Sequence, residues 1–136
     1  MRNYLIIHGS FGNPYNNWFP WLHQQLLNKN KLDTYRKARI FNSNTVVIAH
    51  SIGCAFITKY LLNRNMIVSK LILVAPFNNY IVDSGDYDYV NKTFYFDNLE
   101  LVKDYVGEII CIYSDNDPYV KLDACENLRT KQLQKK

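Results

Sequence analysis

The chain reads as an α/β domain, a mostly parallel sheet with helices on both faces, and three observations predict it. Short apolar runs rich in strand formers recur at residues 4–7, 45–49, 70–75 and 109–113. Segments with helically spaced apolar residues lie between them, and the separations are of crossover length. Three of the four runs end in polar, turn-forming clusters, at residues 8–14, 50–53 and 114–118. A parallel sheet gathers its sites at such carboxyl ends.

Each element follows from its residues. Tyr4-Leu5-Ile6-Ile7 is a strand ended by the Gly- and Pro-containing turn His8 to Pro14. Trp18, Trp21, Leu22, Leu26 and Leu27 then recur with a helical period and predict one apolar face. Lys29 to Asn44 is polar and weakly patterned, a helix end plus a connection. Thr45-Val46-Val47-Ile48-Ala49 is a continuous run dominated by β-branched residues, as buried parallel strands are. After the turn His50-Ser51-Ile52-Gly53, the residues Ala55, Phe56, Ile57, Tyr60, Leu61 and Leu62 form a helical face. Lys70 to Ala75 is a third strand, stopped by Pro76, and Phe77 to Phe96 is a long aromatic loop. Asp97-Asn98-Leu99-Glu100 resembles a capping box that opens a short helix. Ile109 to Tyr113 is the fourth strand, and Val120 to Leu133 a charged helix with Leu122, Cys125 and Leu128 inward.

Composition narrows the function classes. Hydrophobic residues make up 48% of the 136 residues, which supports one globular domain over residues 1–136. The net charge is +4, partly from Arg129, Lys131, Lys135 and Lys136, and no aromatic residue follows Tyr119. A nucleic-acid surface needs a basic stripe interleaved with stacking rings, so no nucleic-acid partner is expected. The longest apolar stretch, Val46 to Leu62, is broken by His50, Ser51 and Lys59. It predicts no membrane span, and no secretory signal is seen. The three cysteines, Cys54, Cys111 and Cys125, form no C-x-x-C pair, which argues against a disulfide framework or structural zinc and for a cytoplasmic protein. Asn91-Lys92-Thr93 matches a glycosylation sequon, which carries little meaning without a secretory signal.

The chemistry centres on Ala49-His50-Ser51-Ile52-Gly53, a variant of the G-x-S-x-G nucleophile elbow in which Ala49 replaces the first glycine. Small residues two before and two after the serine let backbones approach while the turn exposes the hydroxyl. The alternative is a serine that caps the following helix. In the first case the Ile52 amide, at the helix N-terminus, can stabilise an oxyanion. A second donor is expected from His8-Gly9-Ser10, with the Ser10 or Phe11 amide as candidate. Asp117, after the last strand, could orient a catalytic histidine, with Asp115 as competitor. It could equally bond its own backbone in a turn.

Five segments together resemble the small α/β-hydrolases of the retinoblastoma-binding protein nine family, with its YdeN-like bacterial serine hydrolases. They are Ile6-Ile7-His8-Gly9-Ser10, Trp18-Phe19-Pro20-Trp21-Leu22, Ala49-His50-Ser51-Ile52-Gly53-Cys54, Leu71-Ile72-Leu73-Val74-Ala75-Pro76-Phe77 and Ser114-Asp115-Asn116-Asp117-Pro118-Tyr119-Val120. They occur in the family's order and span most of the chain. The resemblance implies a reduced α/β-hydrolase fold, with Ser51 as nucleophile and Asp117 as triad acid. It also implies hydrolysis of an ester, thioester or amide through an acyl-enzyme, without metal or organic cofactor.

Two departures from the family stand out. Its catalytic histidine lies after a further strand beyond the acid, whereas the three histidines here are His8, His23 and His50, all before Asp117. The family also has an extra strand and helix before the elbow strand, and Asn28 to Asn44 is too short for both. Two functions follow as expectations. One is a serine hydrolase on a small acyl substrate, weak or inactive without its base. The other is a pseudoenzyme that binds a small ligand or protein in the hydrolase pocket. A shortened sheet exposes strand edges, so a homodimer is a third expectation.

Overall fold

The run Thr45 to His50, β-branched over its first four residues, forms the strand on which the rest is built. In a computed structural model of the chain, which describes residues 2–29, 42–77, 86–95 and 99–127, it pairs with a strand on each side. The elements in order are β1 (Asn3–Ile7), α1 (Phe19–Asn28), β2 (Thr45–His50), α2 (Ile52–Arg64), β3 (Val68–Val74), α3 (Asp86–Asn91), β4 (Val106–Ile112) and α4 (Leu122–Asn127). Two 3-10 turns, Lys92–Phe94 and Leu99–Tyr105, lie between α3 and β4. The sheet has the order β1-β2-β3-β4 and every pairing is parallel. Its carboxyl ends therefore share one edge, with Ile7 beside Ala49, His50 beside Val74, and Val74 beside Ile112.

Strand alternation divides the core. Val46 and Ile48 face α1, where Leu26, Leu22 and Trp18 cover them together with Tyr4, Ile6, Ile72 and Val74. Val47, Ala49, Leu71 and Leu73 face α2, packed against Cys54, Ile57 and Leu61, with Val102 beside them. Helices thus lie on both faces, as the sequence predicts. Each fully buried Leu or Ile contributes roughly 1.5–3 kcal/mol from burial alone. Helix α2 closes on Asn65, which takes the left-handed conformation with φ 50°. Asparagine tolerates that C-terminal position better than most residues.

The placement of α1 and α2 has a topological consequence. The steps from β1 to β2 and from β2 to β3 run the same way across the sheet. Their helices sit on opposite faces, so the two crossovers, traced through these helices, have opposite hand. About 98% of parallel crossovers are right-handed, which marks one of these connections as exceptional.

The elements differ from expectation in three places. Trp21 is not on the inner face of α1: it is 65% exposed, while Phe19 is buried. The helix starts at Phe19 with Pro20 in its first turn, and two residues on, about 200° around the axis, Trp21 points outward. Part of the expected aromatic loop is ordered as α3 and the following 3-10 turn. The final helix is described only over Leu122–Asn127. The capping-box segment at Asp97 and Asn98, most of the Lys29–Asn44 connection, and Leu128 and Leu133 lie outside the described residues.

Candidate active site

Ser51 stands between β2 and α2 with φ 56° and ψ −131°. That backbone region is sparsely populated by residues with a side chain, and holding one there costs about 1–3 kcal/mol. The surroundings enforce it. The Ser51 amide donates to the Val74 carbonyl at 2.9 Å, tying the turn to the end of β3. The Ser51 carbonyl accepts from the Cys54 amide at 2.9 Å, starting the helix. The hydroxyl makes no capping bond to α2, so the helix-cap alternative does not describe this serine.

The loop after β1 lies directly against this turn, and two glycines make the approach possible. A Cβ on Gly9 would stand 2.7 Å from Ser51 Cβ and 3.2 Å from its Oγ. A Cβ on Gly53 would stand 2.7 Å from the His8 carbonyl oxygen. Any side chain at either position would push the loop and the turn apart. The loop winds around one carbonyl: the Gly12 amide donates to Gly9 O at 3.1 Å, and His8 Nδ1 lies 2.9 Å from the same oxygen. Phe11 takes φ 55° to close it. The Ser10 hydroxyl donates to Oδ1 of Asn91, which is only 2% exposed.

Asp117 follows β4, and its Oδ1 accepts the amides of Tyr119 at 2.8 Å and Val120 at 2.9 Å. The turn alternative for this residue is thus realised on one carboxylate oxygen. Its charge reaches two groups near the sheet edge, opposing part of the downward shift at His50 and adding to the upward shift at Cys125.

His50 is the last residue of β2 and lies on the α1 face of the sheet. The rings of Trp18 and Phe19 meet it edge-on, each with its centroid 5.9 Å away. Burial lowers its pKa below the ordinary 6.5, and Asp117 offsets part of that. His8 and His23 are exposed. The buried thiols of Cys54 and Cys125 are poor nucleophiles. Cys54 donates to the Ala49 carbonyl at 3.2 Å, and burial raises its pKa well above the usual value. Cys125 donates to Pro76 O at 3.3 Å and is pushed up to about 12, first by burial and then by Asp117. Among the described residues no three His, Cys, Asp or Glu side chains are grouped to hold a metal.

One contributor was not singled out from the sequence. Asn91 sits in a stretch of aromatic and acidic residues whose only visible signal was the sequon. Its partner Ser10 is 81 positions away, so no local pattern could connect them.

Comparison with known proteins bears on the fold and the family. The chain is similar to the ydeN gene product from B. subtilis, whose crystal structure superposes with a TM-score of 0.76 at 22% identity, covering 96% of this chain and 81% of that one. That likeness carries the α/β-hydrolase-like fold. A search of curated proteins gave no match. A family model described as "Serine hydrolase" matches residues 34–134, most of the chain. The chain belongs to the serine hydrolase family.

Proposed function

We propose that the protein hydrolyses an ester, thioester or amide through an acyl-enzyme on Ser51. The observation that carries this reading is the Ser51 backbone, held at φ 56° and ψ −131° at a strand-to-helix turn with the hydroxyl not capping the helix. Such a turn is the nucleophile elbow. Ser51 Oγ attacks the carbonyl carbon, and the carbonyl oxygen takes up negative charge. The Ile52 amide at the start of α2 and the Ser10 amide across from it are the donors assigned to that oxygen. Collapse expels the alcohol, thiol or amine, and water then releases the acid from the serine.

Asp117 is assigned the acid role through Oδ2, since Oδ1 is occupied by two backbone amides. A base completes such a set by taking the Ser51 proton. His50 is not assigned that role, because its ring is packed against Trp18 and Phe19 on the α1 face. The substrate is a small acyl compound in the cytoplasm, with neither nucleic acid nor membrane as partner. No described helix is long and apolar enough to cross a membrane. Among the described residues no strand pairs with the outer side of β1 or of β4, which supports self-association as a homodimer.

The test is covalent labelling with a fluorophosphonate, comparing the parent with Ser51→Ala. Labelling of the parent that disappears in Ser51→Ala is expected. A folded parent that stays unlabelled overturns the hydrolase reading and leaves the pseudoenzyme, a binding protein that keeps the pocket.

A further inference from the structure

Asn91 is a deeply buried polar side chain beside the site that the reaction does not use. At 2% exposure its amide would be costly unless hydrogen-bonded. Among the described residues its side chain bonds only to the Ser10 hydroxyl. Phe94 and Tyr95, in the same segment, pack onto an apolar cluster with Ile52, Ala55 and Phe77. The bond is therefore shielded, and the two side chains restrain each other.

The segment that carries Asn91 is itself fixed to α2. Lys59 Nζ donates to the Thr93 carbonyl at 3.0 Å, and the Phe56 and Phe94 rings meet edge-on at 5.8 Å. The Tyr95 ring packs on Phe77 at 6.3 Å. The constraints form a closed circuit. Helix α2 begins at Ile52 beside Ser51, holds the segment with Asn91, and Asn91 holds Ser10. Ser10 adjoins Gly9, and Gly9 lies against Ser51.

We propose that Asn91 is a positioning residue that holds the Ser10 amide at its oxyanion station by anchoring the Ser10 hydroxyl. The inference rests on the proposed acyl-enzyme reaction at Ser51. Asn91 touches no reacting atom. Its effect is on transition-state stabilisation, because an oxyanion donor acts only where charge develops.

The experiment uses the full chain and four proteins: the parent, Asn91→Ala, Ser10→Ala and the double variant. Two quantities are measured: the second-order rate of fluorophosphonate labelling, and amide hydrogen exchange over residues 9–12. Each single change is expected to slow labelling about tenfold, and the double no further, since both remove one bond. Exchange over residues 9–12 is expected to rise alike in all three variants. Labelling of Ser10→Ala at the parent rate overturns the proposal, and so do losses that multiply in the double variant. If Asn91→Ala shows no cooperative melt, Ser10→Ala decides alone: slower labelling with faster exchange supports the anchor, and parent-like values overturn it. A parent that does not label removes the hydrolase reading and with it the oxyanion role. The exchange comparison then still tells whether Asn91 anchors Ser10.

Discussion

The strain at Ser51 and the packing of its neighbour His50 come from the same turn. Residues 46, 48 and 50 alternate onto the α1 face, so the chain must reverse direction at Ser51 to start α2 on the other face. His50 is left against Trp18 and Phe19, largely out of water. Its folded pKa is lowered by burial, only partly offset by the charge of Asp117. The sign of the linkage follows. The unfolded chain takes up this proton near pH 6.5, the folded chain only at lower pH. Within that window the unfolded state binds more protons, so stability falls as pH falls. Urea midpoints at about pH 7 and about pH 5.5 should show the loss, and His50→Gln should make it smaller. An unchanged pH dependence in His50→Gln would show that other groups carry it.

At the scale of elements, α2 is the support for both the fold and the site. Its inner face, Cys54, Ile57 and Leu61, is buried against Val47, Leu71 and Leu73, and its first residues line the serine turn. Leu61→Ala should therefore cost ~2–5 kcal/mol, measured by urea unfolding. It should leave fluorophosphonate labelling of the remaining folded protein near the parent rate, because Leu61 is more than two turns from Ser51. A loss under about 1 kcal/mol would mean the cavity collapses or the core is loosely packed. These elements were legible because β2 opens on four consecutive β-branched residues and α2 follows a turn with a small residue two positions to either side of the serine. The α1 face was misread at Trp21, since apolar spacing counts an exposed indole like a buried one and the start at Phe19 sets the phase. Helix α3 was hidden by aromatic and acidic residues of low helical propensity. Of the two alternatives for Asp117, the turn is seen on Oδ1, and the acid role is a proposal for Oδ2, since spacing alone cannot divide a carboxylate's two oxygens.

For the whole molecule, the opposite hands of the first two crossovers bear on the sheet edge. A connection from β1 through α1 to a strand on the outer side of β1 would have the opposite hand to the one seen, matching β2-α2-β3. Strand β1 has the composition of such an interior position. Tyr4, Leu5, Ile6 and Ile7 are apolar on both faces, with no charge or proline among them. Edge strands are normally protected by those residues or by a bulge, because unpaired backbone groups recruit other chains. Among the described residues no strand pairs with the outer side of β1. On the opposite edge, β4 carries Glu108, bonded to Lys70 at 2.6 Å, and a half-exposed Ile112. The charged pair makes β4 the better protected of the two. The expected result is concentration-dependent self-association through β1, seen as dimer in native mass spectra and sedimentation. Ile112→Lys, which changes only the β4 edge, should leave the dimer fraction unaltered. A protein that stays monomeric across the concentration range would show that the β1 edge is covered within the chain. A dimer abolished by Ile112→Lys would move the contact to β4.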